Sequence, residues 1–171
     1  MKSFITLLFL TASLFAFGES IQSFEASFVQ TITDEENKTL TYKGKIYSKR
    51  PDHVLWHYTE PINKKIYLKK NVAVIVEPEL EQSIIKRLQG EIDFFGILSS
   101  AKAVDETHYR ANYKEIEFIL KEDRGLIESL SYTDQLENRV LITFSKQKQN
   151  HLIEDRFFVP KVPKHFDIIQ N

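Results

Sequence analysis

Two pairs of side chains have types and spacings that could support chemistry. His53 and His57 are four residues apart, which on a helix would bring two imidazoles close to one metal ion. They lie, however, in a stretch that alternates as a β-strand does, where they would be about 13 Å apart. One ion cannot bridge that distance, so we expect solvated or edge histidines and no metal site.

The second pair consists of Glu115 and Glu117. On one face of a strand these carboxylates would lie about 6.6 Å apart, within the range of an acid–base pair. A small secreted hydrolase is therefore one hypothesis, and a solvated charged face opposite Ile116 and Phe118 is the commoner alternative. The sequence has no cysteine, no G-x-S-x-G and no phosphate-binding loop. We predict that the protein is not an enzyme and needs no cofactor.

Composition limits the remaining classes. The 171 residues are 42% hydrophobic, which is enough for one core. The formal net charge is −1, so a nucleic-acid partner is not expected. After the leader described next, we predict a single domain over residues 19–171, and we expect a monomer.

The N-terminus has the pattern of an export signal. Lys2 precedes an apolar run over residues 4–17, shorter than the roughly 20 residues that cross a bilayer as a helix. The run ends in Ala16-Phe17-Gly18, with small residues at both recognition positions. We predict a signal peptide over residues 1–18, and a membrane anchor is the alternative. With no cysteine to carry a lipid, the exported protein is expected to be soluble.

The elements that position these side chains are mostly antiparallel strands. Residues 53–58 place Val54, Trp56 and Tyr58 on one face, and Pro51 and Pro61 stand at strand ends, where no ladder hydrogen bond is lost. The first strand is predicted to be half-buried in the same way, because alternate positions are occupied by Phe24, Ala26, Phe28, Gln30 and Ile32. Residues 72–76 are apolar throughout, which indicates a strand that is covered on both faces or lines a cavity on one.

One helix is predicted over residues 93–102. Asp93 can cap it, and the apolar positions share one stripe, formed by Phe94, Phe95, Leu98 and Ala101. Gly96 costs this helix about 1 kcal/mol relative to alanine, so packing must hold it in place. Alternation alone does not separate a closed core from a ligand cavity, and the residues alone favour a closed core.

Several short motifs, in their order and spacing, resemble one family. They are S-F-E-A-S-F-V-Q at 23–30, K-R-P at 49–51, W-x-Y-x-x-P at 56–61, I-Y-L at 66–68, E-P-x-L-x-Q at 77–82 and F-F-V-P at 157–160. Together they resemble the periplasmic outer-membrane lipoprotein carrier family, LolA. The resemblance implies a mainly β fold, an incompletely closed antiparallel β-barrel (a half-barrel) covered by a short helical lid. Its cavity would receive acyl chains.

The resemblance also implies a function and partners. The protein would take acylated lipoproteins from an inner-membrane ABC transporter, shield them in the periplasm and pass them to an outer-membrane acceptor. Shielding is needed because each buried CH₂ gains about 0.8 kcal/mol. The energy would come from the transporter, since the chain has no ATP motif. A carrier or sensor for another periplasmic amphiphile is the alternative.

The family resemblance makes a cavity preferable to a closed core and points to site residues. We expect the acyl chains to contact the aromatic strand faces and the helix stripe, at Phe28, Trp56, Tyr58, Phe94, Phe95 and Leu98. By resemblance, Arg50 of the K-R-P motif would bind the free carbonyls at the end of the helix and hold the lid shut. In the family a helix precedes the first strand, whereas here only residues 19–22 lie between the predicted cleavage site and that strand. Either the lid is smaller, or the leader is cleaved earlier than predicted.

Overall fold

The computed structural model describes residues 18–88 and 93–170. It contains twelve strands: β1 (Ser23–Thr33), β2 (Thr39–Lys49), β3 (His53–Glu60), β4 (Lys64–Lys69), β5 (Val72–Glu77), β6 (Gln82–Arg87), β7 (Lys102–Ala103), β8 (His108–Tyr113), β9 (Ile116–Asp123), β10 (Leu126–Thr133), β11 (Arg139–Gln149) and β12 (Asp167–Gln170). The one α-helix of these residues, α1, is Phe94–Ser100. The predicted leader, apart from Gly18, lies outside the described residues.

All twelve strands belong to one sheet, in the order β12-β6-β5-β4-β3-β2-β1-β11-β10-β9-β8-β7. Neighbouring strands are antiparallel except β12, which runs parallel to β6. The two edge strands are short, since β7 has two residues and β12 has four. The sheet does not close on itself, so the predicted open antiparallel half-barrel with a short helix is confirmed.

The sheet curls around α1. The helix touches β1, where the rings of Phe24 and Phe94 are 5.1 Å apart. It also touches β8, because a Cβ added to Gly96 would lie 2.6 Å from the ring of Tyr113. In the sheet order β1 and β8 are four strand spacings apart, about 19 Å along a flat sheet. One short helix can contact both only because the sheet is strongly curved.

The ends of α1 follow from local chemistry. The Asp93 carboxylate accepts a hydrogen bond from the backbone N–H of Phe95 at 3.1 Å, so the predicted cap is confirmed. The helix ends at Ser100, two residues before the predicted end. Ala101 is extended, with ψ 127°, and the next two residues pair with β8 as β7. Strand pairing therefore replaces the last predicted helical residues.

A second apolar cluster lies on the outer face of the sheet. The segment after β11 crosses this face and packs Ile153 and Phe158 on three strand residues, Leu55, Tyr67 and Val76. The predicted double coverage of residues 72–76 is confirmed, since Ala73 is buried and Val76 belongs to the outer cluster. Lys49 fixes the segment with an ion pair to Asp155 at 2.6 Å.

Gly44 is required by close packing at the centre of the sheet. The pairing of β2 with β3 shifts register between Lys43 and Gly44. A Cβ at Gly44 would lie 2.2 Å from the carbonyl oxygen of His57 and 2.8 Å from the ring of Phe28. The register shift and this close approach explain why a residue without a side chain stands here, since it leaves room for the Phe28 ring.

Candidate functional site: an apolar cavity under the helix

A cavity of about 420 Å³ lies between α1 and the inner face of the sheet. This is within the usual size range of ligand pockets, about 300–1,000 Å³. Its wall comes from strands on both sides of β1, and it is lined by Gln30, Trp56, Tyr58, Ile66, Leu68, Phe94, Ile116, Leu130, Tyr132, Asp134, Gln135, Leu136 and Ile142. The lining is mostly apolar, and the polar residues are confined to one part.

The lining changes character along the strands. Near α1 the wall is apolar, and we call this part the floor, formed by Trp56, Leu68 and Phe94. Further along the strands lies a polar belt formed by Gln30, Tyr58 and Tyr132. The turn between β10 and β11 then supplies the rim, formed by Asp134, Gln135 and Leu136. The cavity is therefore amphipathic, with its apolar end beneath the helix.

The belt is electrically neutral. The Tyr58 hydroxyl donates to Oε1 of Gln30 at 3.0 Å. Burial, and then the neighbouring Tyr132, raise the pKa of Tyr58 above its usual value. Burial, and then the Asp134 carboxylate, raise the pKa of Tyr132 to about 12. Both hydroxyls therefore keep their protons at neutral pH.

The rim carries a charge and an exposed apolar side chain. Leu136 is 80% exposed at the tip of its turn. Asp134 fixes the turn by accepting hydrogen bonds from the backbone of Leu136 and from the backbone and side chain of Asn138. Burial acts to raise the pKa of Asp134, and these bonds outweigh it and hold the pKa below its usual value. Of the lining residues, Asp134 is the one with a formal charge.

The six residues expected at the cavity fall into two groups. Trp56, Tyr58 and Phe94 are on the lining. Phe28, Phe95 and Leu98 are at most 2% exposed and belong to the packed core around the cavity. Phe28 supports the lining directly, because its ring stands edge-on to Trp56 at 5.0 Å and to Tyr58 at 5.2 Å.

Other lining residues were not singled out from the sequence. Five of them are aliphatic and point inwards from their strands: Ile66, Leu68, Ile116, Leu130 and Ile142. The alternation of apolar residues indicates their inward direction, but it does so equally for every core residue. The rim residues could not be recognised from the sequence, because they come close to the cavity only when β10 and β11 form a hairpin.

Arg50 connects α1 to the N-terminal segment. Its Nε donates to the carbonyl of Ile21 at 2.9 Å, and one terminal nitrogen donates to the carbonyl of Gly18 and the hydroxyl of Ser99, both at 3.0 Å. The guanidinium also lies 4.6 Å from the ring centre of Phe95. The expected bonds to carbonyls at the end of α1 are not the ones found. The carbonyl partners precede β1, and the helix is held through a side chain and a ring.

The candidate catalytic pair of glutamates is separated by the fold. Glu115 is not on a strand, because Lys114 and Glu115 have φ of 49° and 66° and form the tight turn between β8 and β9. The expectation of two glutamates on one strand face is therefore wrong. Glu117 faces Arg110 at 3.4 Å, with both side chains about half exposed. Burial, and then Lys65, lower the pKa of His57, so this imidazole is neutral at pH 7.

Residues 18–88 and 93–170 offer neither a metal-binding cluster nor a membrane-spanning helix. No group of three or more histidine, cysteine, aspartate or glutamate side chains is placed to hold a metal ion in this part of the chain. None of its helices is long and apolar enough to cross a membrane.

The fold and the cavity define a class of protein in which an open, curved β-sheet and one helix enclose an apolar cavity. The family model described as outer membrane lipoprotein carrier protein LolA matches residues 19–109. An outer-membrane lipoprotein carrier protein from Wolinella succinogenes is 37% identical over 89% of this chain and 89% of its own length. One from Campylobacter jejuni is 32% identical over 99% of both chains. The chain therefore belongs to the LolA family.

Solved structures support the fold. A LolA superfamily protein from Nitrosomonas europaea aligns with a TM-score of 0.50 and 13% identity, over 82% of this chain and 91% of its own. An uncharacterised conserved protein from Thermus thermophilus aligns with a TM-score of 0.54 and 8% identity, over 89% and 92%. At these identities the likeness concerns the fold alone.

Proposed function

We propose that this protein is a periplasmic carrier that binds the acyl chains of lipoproteins released from the inner membrane and delivers them to the outer membrane. The observation that supports this most directly is the amphipathic cavity of about 420 Å³, found in a chain of the LolA family. An acylated protein in water exposes many CH₂ groups, each of which gains about 0.8 kcal/mol on burial. The apolar floor offers such burial, and the rim opens to solvent.

The proposal extends to partners and location. The cargo would arrive from an inner-membrane ABC transporter and leave to an outer-membrane acceptor, with no catalytic step in this chain. Residues 1–18 would act as the export signal and residues 19–171 as one carrier domain. The six residues Phe28, Trp56, Tyr58, Phe94, Phe95 and Leu98 would form or support the acyl-binding wall.

The test is binding of a fluorescent fatty-acyl probe to the purified protein. We expect saturable binding that an acylated lipoprotein displaces and the same lipoprotein without its acylated cysteine does not. Ile66→Trp should reduce binding at least tenfold, because Ile66 lines the cavity and the larger ring fills it. Lys65→Trp is the matched control, since the neighbouring residue of β4 points to the other face.

A closed core is the competing outcome. If the folded protein binds no acyl probe, or if both tryptophan variants bind as well as the parent, the cavity does not hold acyl chains. The carrier proposal would then fail.

A further inference from the structure

Gln30 is a buried polar residue among apolar neighbours on the inner face of the sheet. It is 8% exposed, and its neighbours on that face of β1 are Phe28 and Ile32. Its Oε1 accepts from Tyr58, while its Nε2 donates to no group in the described parts of the chain. The side chain lines the cavity, so the free N–H groups face the interior. These N–H groups are accessible from the cavity, so a ligand that displaces water from them must offer an acceptor in its place.

The pairing with Tyr58 does not account for this residue. Tyr58 needs one acceptor, and the carbonyl end of the amide satisfies it at 3.0 Å. The other end of the amide has two donors and no role in that contact. Its two donors therefore call for an acceptor that enters the cavity from outside the chain.

The position of Gln30 indicates which acceptor would fit. Phe24 packs on Phe94 at the floor, and Gln30 lies six residues further along β1, about 20 Å away on an extended strand. An acyl chain that enters tail-first would occupy the floor, and its carbonyl would come to rest at the level of the belt. An ester or amide carbonyl accepts hydrogen bonds, donates none and carries no charge, which matches a neutral belt of donors.

We propose that Nε2 of Gln30 donates a hydrogen bond to the ester or amide carbonyl of a bound acyl chain and so sets the depth at which the chain binds. This inference rests on the proposed carrier function and adds the chemical class of the group that is recognised. It also predicts a preference, because a free fatty acid would bring a carboxylate towards the charged rim residue Asp134. Esterified and amide-linked chains avoid that repulsion.

The test compares two matched ligands on three proteins. The ligands are a dipalmitoylglyceryl lipopeptide and its dialkyl ether analogue, in which the two ester carbonyls are replaced by methylene groups. The parent protein should bind the diester about two- to tenfold more tightly than the ether. Gln30→Met, which keeps the length of the side chain, should remove that preference, so that the diester and the ether bind this variant equally. Tyr58→Phe should retain the preference, since the donor remains.

A spectroscopic measurement separates hydrogen bonding from shape. With ¹³C-labelled ester carbonyls, the infrared carbonyl stretch of the bound ligand should lie at lower frequency on the parent and on Tyr58→Phe than on Gln30→Met. Thermal unfolding of each variant establishes that the compared proteins are folded at the assay temperature.

The outcomes distinguish this inference from the carrier proposal. If neither ligand binds the parent protein, the carrier proposal fails and takes this inference with it. If both ligands bind and the diester is not preferred, or if Gln30→Met weakens both ligands equally, the carrier stands and the role of Gln30 as a carbonyl donor is overturned. Loss of the preference in Tyr58→Phe alone would also overturn it.

Discussion

Replacing Arg50 by leucine should loosen α1 from the inner face of the sheet. Two contacts hold the helix to Arg50, the hydrogen bond to Ser99 at 3.0 Å and the ring contact with Phe95 at 4.6 Å. A charged hydrogen bond contributes about 1.5–3 kcal/mol, and the exposed Ser99 contact belongs at the low end. A cation over an aromatic ring adds about 0.5–1 kcal/mol. Together these give about 2 kcal/mol, or roughly thirtyfold in the closed-to-open ratio.

This magnitude suits a carrier that must both bind and release. A latch of about 2 kcal/mol favours the closed, empty state, and burial of a few CH₂ groups at about 0.8 kcal/mol each would outweigh it. Arg50→Leu should therefore fold and accept lipoprotein. It should release lipoprotein poorly, because closure of α1 no longer competes with the loaded state.

The assay is transfer of a labelled lipoprotein from the purified carrier to isolated outer membranes, with hydrogen exchange of the α1 amides as a second measurement. Ser99→Ala removes the helix bond alone and should give an intermediate effect. Arg50→Lys keeps the charge without the planar fork and should also fall between. Unchanged transfer and unchanged exchange in Arg50→Leu would refute the latch.

Three further predictions follow from single features. The intact mass of the exported protein should begin at Glu19, and an earlier start that keeps Gly18, whose carbonyl accepts from Arg50, would contradict the predicted boundary. The folded protein holds the Tyr132 proton up to about pH 12, whereas the unfolded chain loses it near pH 10, so stability should fall by up to about 2 kcal/mol as pH rises through this interval. Urea unfolding at pH 8–11.5 checks this, and Tyr132→Phe should flatten the decline. Gly44→Ala should destabilise the protein by about 2 kcal/mol or more, because the added Cβ would lie 2.2 Å from the His57 carbonyl oxygen. If the urea midpoint of this variant at pH 7 matched that of the parent, the prediction would be wrong.

The strands and their inward faces could be predicted because alternation is a local property of the sequence. Trp56 and Tyr58 share a face on any strand that spans them, and Asp93 caps any helix that begins beside it. Glu115 was misplaced for an equally local reason. A run of alternating residues continues through a two-residue turn without any change in pattern, and only the positive φ values reveal the turn.

The division between core and cavity could not be predicted in the same way. Phe28 and Trp56 both point inwards, yet only Trp56 reaches the open space. What decides between them is the curvature of the sheet and the place where α1 rests, and both depend on contacts between distant strands. Arg50 shows the same limit, because its partners at Gly18 and Ile21 depend on how the N-terminal segment folds back over the sheet.

The short edge strands affect how readily the protein self-associates at high concentration. An open sheet, unlike a closed barrel, always leaves two rows of backbone groups without partners, and such rows can recruit a second molecule into an intermolecular sheet. Here β12 covers four of the six residues of β6 with a parallel strand, and on the opposite side the two residues of β7 pair with Tyr109 and Arg110 of β8. The protein can therefore keep an opening wide enough to admit a ligand while presenting little template for fibrous or sheet-like self-assembly. An open β-sheet with long, exposed edge strands would admit a ligand equally well but would also promote aggregation.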